Sequence, residues 1–175
     1  GHCITSSIDC MSNKWIFDFK SNTTEFKKDN VYGCKKILDQ SQSYNNKEVS
    51  DYAVIELDRA VVGRSPLKIR KFGRPSRGTP LVVIGHPLGL PMKITDGAII
   101  TGLNDLEREH PIRSFFLREY YFTANIDNYS GGSGSPVFNQ LTGRVEGLII
   151  QGAEDFTFNE DKFCLQSNHI GNNRL

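Results

Sequence analysis

The sequence has no long apolar run, no strong charge of either sign and no sustained helical periodicity. No stretch approaches the roughly 18 apolar residues that a membrane-spanning helix needs. Lysine and arginine number 21 against 20 aspartates and glutamates, a formal net charge of +1. No field therefore steers the chain toward nucleic acid or an anionic membrane surface. The four cysteines, Cys3, Cys10, Cys34 and Cys164, include no CxxC spacing, and His2, His86, His110 and His169 are scattered. No metal site is expected from that pattern. The opening Gly1-His2-Cys3 has neither a charged n-region nor an h-region, so no signal peptide is visible. Export would require that an upstream segment had been removed.

A chain of 175 residues, 38% hydrophobic and 23% charged, can bury a real core as one domain or two small halves. Short strand-like runs recur at 14–19, 35–38, 52–57, 67–69, 81–84, 93–103, 115–125, 135–138 and 145–150. Gly, Pro, Asn or Ser separates many of them, the pattern of an antiparallel barrel or sandwich. Residues 103–113 read equally as helix or as loop, because Pro111 interrupts them. A short helical turn is expected from Ser6 to Asp9. The polar stretch 41–50 reads as a surface loop. The basic, breaker-rich stretch 71–79 is the best connection between two halves, 1–72 and 73–175. The tail from 153 to 175 is weakly patterned, with one strand expected near 163–165. Four cysteines pair in three ways, and the sequence does not choose among them. Disulfides in an exported protein, secreted or periplasmic, are the preferred reading.

The chemistry is expected in Asp127-Asn128-Tyr129-Ser130-Gly131-Gly132-Ser133-Gly134-Ser135-Pro136-Val137-Phe138. Ser133 stands there between glycines. A serine hydroxyl needs a base to take its proton and donors to stabilise the oxyanion it forms. Glycines allow a tight turn and leave amide N–H groups room to face a substrate oxygen. Alone, such a cluster is more often a turn. A base and an acid must stand behind it. Asp51 leads directly into the apolar run Tyr52-Ala53-Val54-Ile55 and can sit near a core while facing a cleft. Asp58 competes, but Arg59 follows it. For the base, composition does not choose among the four histidines.

The ordered set Gly1-His2-Cys3, Asp51-Tyr52-Ala53-Val54-Ile55 and Gly131-Gly132-Ser133-Gly134-Ser135-Pro136-Val137 resembles the chymotrypsin-like (trypsin-fold) serine proteases. It is most similar to their bacterial branch, which includes the glutamyl endopeptidases. The order His, Asp, Ser is that family's order. Gly85-His86-Pro87-Leu88-Gly89-Leu90-Pro91 also resembles the Gly-x-Pro loop of bacterial members. The resemblance implies an all-β fold of two six-stranded antiparallel barrels. It implies a secreted serine endopeptidase that works through an acyl-enzyme on protein or peptide substrates, without a cofactor.

Carried over by position, the resemblance makes Ser133 the nucleophile, His2 the base and Asp51 its orienting acid. The amides of Gly131 and Ser133 form the oxyanion hole. A strand of Ile150, Gln151 and Gly152 pairs with the bound peptide, and small Gly152 leaves the side-chain pocket open. Asp127 matches the pocket-base aspartate of trypsin and implies cleavage after Arg or Lys. Glutamyl specificity is not expected, because no histidine lies near Ile149. Gly132 replaces the aspartate that precedes the nucleophile in trypsin, so activation by a new N-terminal amine is not available. The fold calls for strands before His2, so the first barrel is expected to be incomplete in this chain. Sequons occur at Asn22-Thr23-Thr24 and Asn128-Tyr129-Ser130; a glycan on Asn128 would obstruct the pocket and is not expected. The rival readings are a catalytically inactive relative that binds peptides in the same cleft, and a β-rich surface domain whose Gly/Ser loop is a turn.

Overall fold

The computed structural model of the chain describes residues 1–45, 48–103 and 121–168. It resolves into two compact units that divide between Leu67 and Lys68. Regular structure is almost entirely antiparallel strand, as the all-β reading expects.

The first unit starts with a helix that its sequence caps itself. The Ser6 hydroxyl accepts the Asp9 amide at 3.2 Å, and the Asp9 carboxylate accepts the Ser6 amide at 3.0 Å. This reciprocal pair satisfies donors that a helix start leaves open. It begins α1, Ser7–Ser12. One turn then carries buried Cys10 to β2, Val31–Asn45, where it forms a disulfide with Cys34 at a Cα–Cα distance of 5.2 Å. Strand β1, Lys14–Ile16, pairs with the start of β2, and β3, Glu48–Leu57, runs back along the rest. The sheet order is β1-β2-β3. Ile4, Cys10 and Tyr32 are the unit's buried apolar residues among the described residues. The Arg59 guanidinium lies 3.9 Å from the Tyr32 ring centroid and donates to the carbonyls of Lys28, Asp29 and Val31.

The Cys10–Cys34 bridge constrains the unfolded chain. Cys10→Ser should cost about 3 kcal/mol, the loop-closure value for a bridge spanning this separation. A urea titration followed by the fluorescence of Trp15, on β1, reads that loss as a lower midpoint. An unchanged midpoint would show the bridge to be dispensable. Cys3 and Cys164 are exposed and free among the described residues.

The second unit is built on a five-stranded sheet, ordered β6-β5-β4-β7-β8. Its strands are β4 (Pro80–Gly85), β5 (Lys93–Leu103), β6 (Phe122–Ala124), β7 (Pro136–Asn139) and β8 (Val145–Leu148). Burial alternates along β4, so Leu81 and Val83 point inward and meet Ala98 and Ile100 of β5 and Val137 of β7. That period of two is what a half-buried strand requires. A separate hairpin, β9 (Phe156–Asn159) with β10 (Cys164–Ser167), follows.

An ion pair crosses the second unit. The Glu146 carboxylate, with no exposed side-chain surface, accepts Nε and Nη2 of Arg70 and, at 2.9 Å, Nδ2 of Asn139. Burial alone would raise the Glu146 pKa, but the Arg70 and Asn139 hydrogen bonds outweigh it and hold the carboxyl below its usual range. A depressed folded pKa contributes stability that is present above the unfolded value of 4.5. That contribution is lost as the pH falls through the folded value. Arg70→Ala should cost about 3 kcal/mol at pH 7, because it strands a buried charge. The cost should shrink as Glu146 protonates, a trend that thermal melts of both proteins between pH 7 and pH 3 would reveal.

Several expectations are corrected. The polar stretch 41–50 is not a surface loop: 41–45 belong to β2 and 48–50 to β3. Backbone pairing, with Gln42 opposite Asp51 and Ser43 opposite Ser50, joins the two strands without an apolar alternation. Residues 67–69 form no strand. Ile69 makes a single parallel bridge to Val145, flanked by Val145 N–H to Lys68 O and Arg70 N–H to Val145 O. Strand β9 was not anticipated in the tail. The helix-or-loop segment beyond Leu103, the strand before Tyr121, His110 and His169 lie outside the described residues.

Candidate active site

In the first unit, β3 presents Asp51, whose side chain is 1% exposed. His2 meets it twice. The His2 amide donates to Oδ1 at 2.8 Å, and the ring Nδ1 lies 2.5 Å from Oδ2. The Gly1 nitrogen is 3.1 Å from Oδ1. A Cβ on Gly1 would fall 2.2 Å from that same oxygen, so glycine is what allows the close approach. Burial raises the Asp51 pKa. The bonds from the His2 ring and amide overcome that and keep the carboxyl ionised below the usual range.

A third donor was missed. The Tyr44 hydroxyl donates to Oδ2. Tyr44 pairs with Val49 across the hairpin. Asp51 stands two residues further on the same face, the diagonal distance a tyrosine can bridge. Reading 41–50 as a hairpin would have revealed it. The other candidates are engaged elsewhere. Asp58 accepts the Gly33 amide at 2.9 Å and pairs with Arg59 at 3.2 Å. The His86 ring Nδ1 is 3.0 Å from the Leu90 carbonyl oxygen and helps close its own loop.

In the second unit, Ser133 is half-buried in the turn before β7. Gly131 and Gly134 both have φ of +83°, a conformation that favours glycine. Backbone hydrogen bonds hold the turn at Gly132, Gly134 and Ser135. Gly132 N–H donates to Tyr129 O at 3.1 Å, Ser135 N–H to Gly132 O at 3.0 Å, and Gly134 N–H to Ile149 O at 2.7 Å. The amides of Gly131 and Ser133 have no backbone acceptor among the described residues. They are the two donors that the resemblance assigns to an oxyanion.

Gly132 also fits tightly, because a Cβ there would lie 2.4 Å from the Asn128 side-chain amide. Asn128 Nδ2 itself donates to Tyr129 O at 3.1 Å. Asn22 of the other sequon is exposed in a turn. Asp127 is exposed. Ile150, Gln151 and Gly152 are not in a strand, because β8 ends at Leu148, opposite Pro136 at the start of β7. Beyond that point the partner strand has given way to the Ser133 turn. These three residues make no backbone–backbone hydrogen bond among the described residues.

The structure thus joins His2 to Asp51 and sets Gly131 and Ser133 in one turn. Among the described residues no cluster of His, Cys, Asp and Glu could hold a metal ion, and no helix is long and apolar enough to cross a membrane. None of the curated proteins matches the chain. A crystal structure of Rv3671c from M. tuberculosis, an inactive form carrying a serine-to-alanine mutation, is similar at 21% identity and a TM-score of 0.48. The match covers 74% of this chain and 58% of that one, so the chain spans little more than half of that protein's length. The model of the trypsin-like peptidase domain matches residues 2–148, a span that contains His2, Asp51, Asp127 and Ser133 and stops before Ile150. With most of its length matched, the chain belongs to the trypsin-like peptidase domain family.

Proposed function

We propose that this chain is a serine endopeptidase domain in which Ser133, His2 and Asp51 act as one triad. The observation that carries the proposal is the 2.5 Å contact between His2 Nδ1 and the buried Asp51 carboxylate. It fixes the proton on Nδ1 and leaves Nε2 as the basic nitrogen. His2 then takes the Ser133 proton as Oγ attacks the scissile carbonyl, and returns it to the leaving amine. Water repeats the sequence on the acyl-enzyme. The amides of Gly131 and Ser133 stabilise the oxyanion, each worth about 3 kcal/mol in the transition state. The unpaired backbone of Ile150, Gln151 and Gly152 receives the substrate as an added strand.

Exposed Asp127 supplies a carboxylate for a basic side chain on the acyl side of the cut, giving cleavage after Arg or Lys. The resemblance of Gly85 to Pro91 to the Gly-x-Pro loop supports a bacterial member of the family. The Cys10–Cys34 disulfide accords with a secreted or periplasmic protein.

The test is labelling by a fluorophosphonate probe, with Ser133→Ala as control, followed by digestion of a peptide library. Labelling of the wild type alone, with cuts after Arg and Lys, is the expected result. A folded wild type that stays unlabelled would make the domain a peptide-binding relative without catalysis. Cuts after Phe or Leu would remove Asp127 from the pocket.

A further inference from the structure

The direction of the Gly131 amide is set by what holds the residue before it. The preceding residue, Ser130, is held from both sides. Its carbonyl accepts the Leu88 amide at 2.7 Å, and its own N–H donates to Asp155 Oδ2 at 2.5 Å. A peptide group is planar and trans, so the Gly131 N–H points opposite to the Ser130 C=O. Fixing Ser130 therefore aims the Gly131 donor. Leu88 makes its contact from a left-handed conformation, φ +55°, which a leucine adopts at a cost. A Cβ on Gly131 would lie 3.2 Å from the Leu88 nitrogen, so the two backbones are in close contact there.

Asp155 is itself anchored. Its carbonyl accepts the Asn168 amide at 2.8 Å, and Asn168 Nδ2 donates to the Glu154 carbonyl at 3.2 Å. Phe156 stacks on Tyr129 with ring centroids 5.5 Å apart, and the Tyr129 hydroxyl is 3.1 Å from Ser167 Oγ. The hairpin β9–β10 thus grips residue 129 and, through Asp155, residue 130. Trypsin-type activation would need an aspartate beside the nucleophile, where this chain has Gly132.

Resting on the reading of Gly131 and Ser133 as oxyanion donors, we infer that Asp155 is a positioning residue that holds the oxyanion turn in its working form through the Ser130 amide. Its carboxylate replaces the missing neighbour aspartate with a clamp from the following hairpin. A charged acceptor on a backbone N–H makes a stronger bond than a neutral one. The neutral amide oxygen of asparagine can still accept, whereas a methyl group cannot.

The test compares wild type, Asp155→Asn and Asp155→Ala, with active sites counted by fluorophosphonate titration. Asp155→Ala should lower kcat per active site by about tenfold, part of the loss that removing a donor outright would cause. It should weaken a peptide aldehyde inhibitor by the same factor and leave KM little changed. Asp155→Asn should keep most of the activity. A merely structural role would lower the number of titrated sites and leave kcat per site and aldehyde affinity intact, which would overturn the inference. So would an asparagine variant as impaired as the alanine one. Hydrogen exchange of the Ser130 amide, expected to quicken by about tenfold in Asp155→Ala, reports on the clamp whether or not the protein hydrolyses peptides. An unlabelled wild type with that change would sink the protease reading and keep the clamp, whereas unchanged exchange would sink the clamp.

Discussion

Ser133→Ala is expected to lower kcat by about 10^6-fold, with a change of less than about 1 kcal/mol in stability. The size follows from the role proposed for the hydroxyl. Without it there is no acyl-enzyme, and hydrolysis falls back on water attacking a carbonyl still held by two amides. Those amides and substrate binding keep a residual acceleration over solution of about 10^3 to 10^4. The neutral effect on folding follows from the turn itself. Its backbone hydrogen bonds run through Gly132, Gly134 and Ser135 and do not involve the Ser133 side chain. Steady-state assays on a peptide substrate, beside thermal melts, check both halves. A variant that hydrolyses peptides at more than about a hundredth of the wild-type rate would mean that another residue is the nucleophile.

The serine turn was legible because its constraints are local. Glycines at 131 and 134 are where the backbone takes positive φ, and Val137 starts a buried strand. The strand-like runs 81–84 and 93–103 also placed β4 and β5 closely. The hairpin of 41–50 was hidden because its side chains are mostly polar and carry no apolar alternation for a pattern to report. Leu67 and Ile69 misled for the opposite reason: they are apolar, yet both remain exposed, and the segment finds only a bridge partner. Tyr44 and Asp155 were not legible from the apolar pattern. Each acts at a distance in sequence, one across a hairpin and one from a tail that reads as polar. Their roles depend on pairings that no local spacing encodes. His2 was indistinguishable from the other histidines by composition. The resemblance selected it, and in the structure the Asp51 carboxylate meets its Nδ1.

Asp51→Asn is expected to lower kcat by about 10^4-fold, because it reverses the imidazole's tautomer. The carboxylate is an acceptor to donors on every side. Oδ1 takes the His2 amide at 2.8 Å, and Oδ2 takes the His2 ring and the Tyr44 hydroxyl. An asparagine has one oxygen for this ring of donors. If the oxygen stays toward the His2 amide, the NH2 group faces the ring and donates to Nδ1. The His2 proton then moves to Nε2, which can no longer accept one from Ser133. If the amide turns over, its NH2 opposes the His2 N–H in a buried position, and each unmet donor costs about 1–3 kcal/mol. The first arrangement is cheaper, so the variant should fold and be nearly inactive. It should also lose an acid-side signature. The wild-type Asp51 pKa is depressed, so its stabilising bonds are present above the ordinary value of 3.8 and are lost as the pH falls through the folded value. An asparagine has nothing to titrate there. The difference in melting temperature between the two proteins should therefore narrow as the pH is lowered below about 4. Nitrogen-15 spectra of the His2 ring would show the proton on Nδ1 in the wild type and on Nε2 in the variant. Finding it on the same nitrogen in both, with activity retained, would remove Asp51 from the triad.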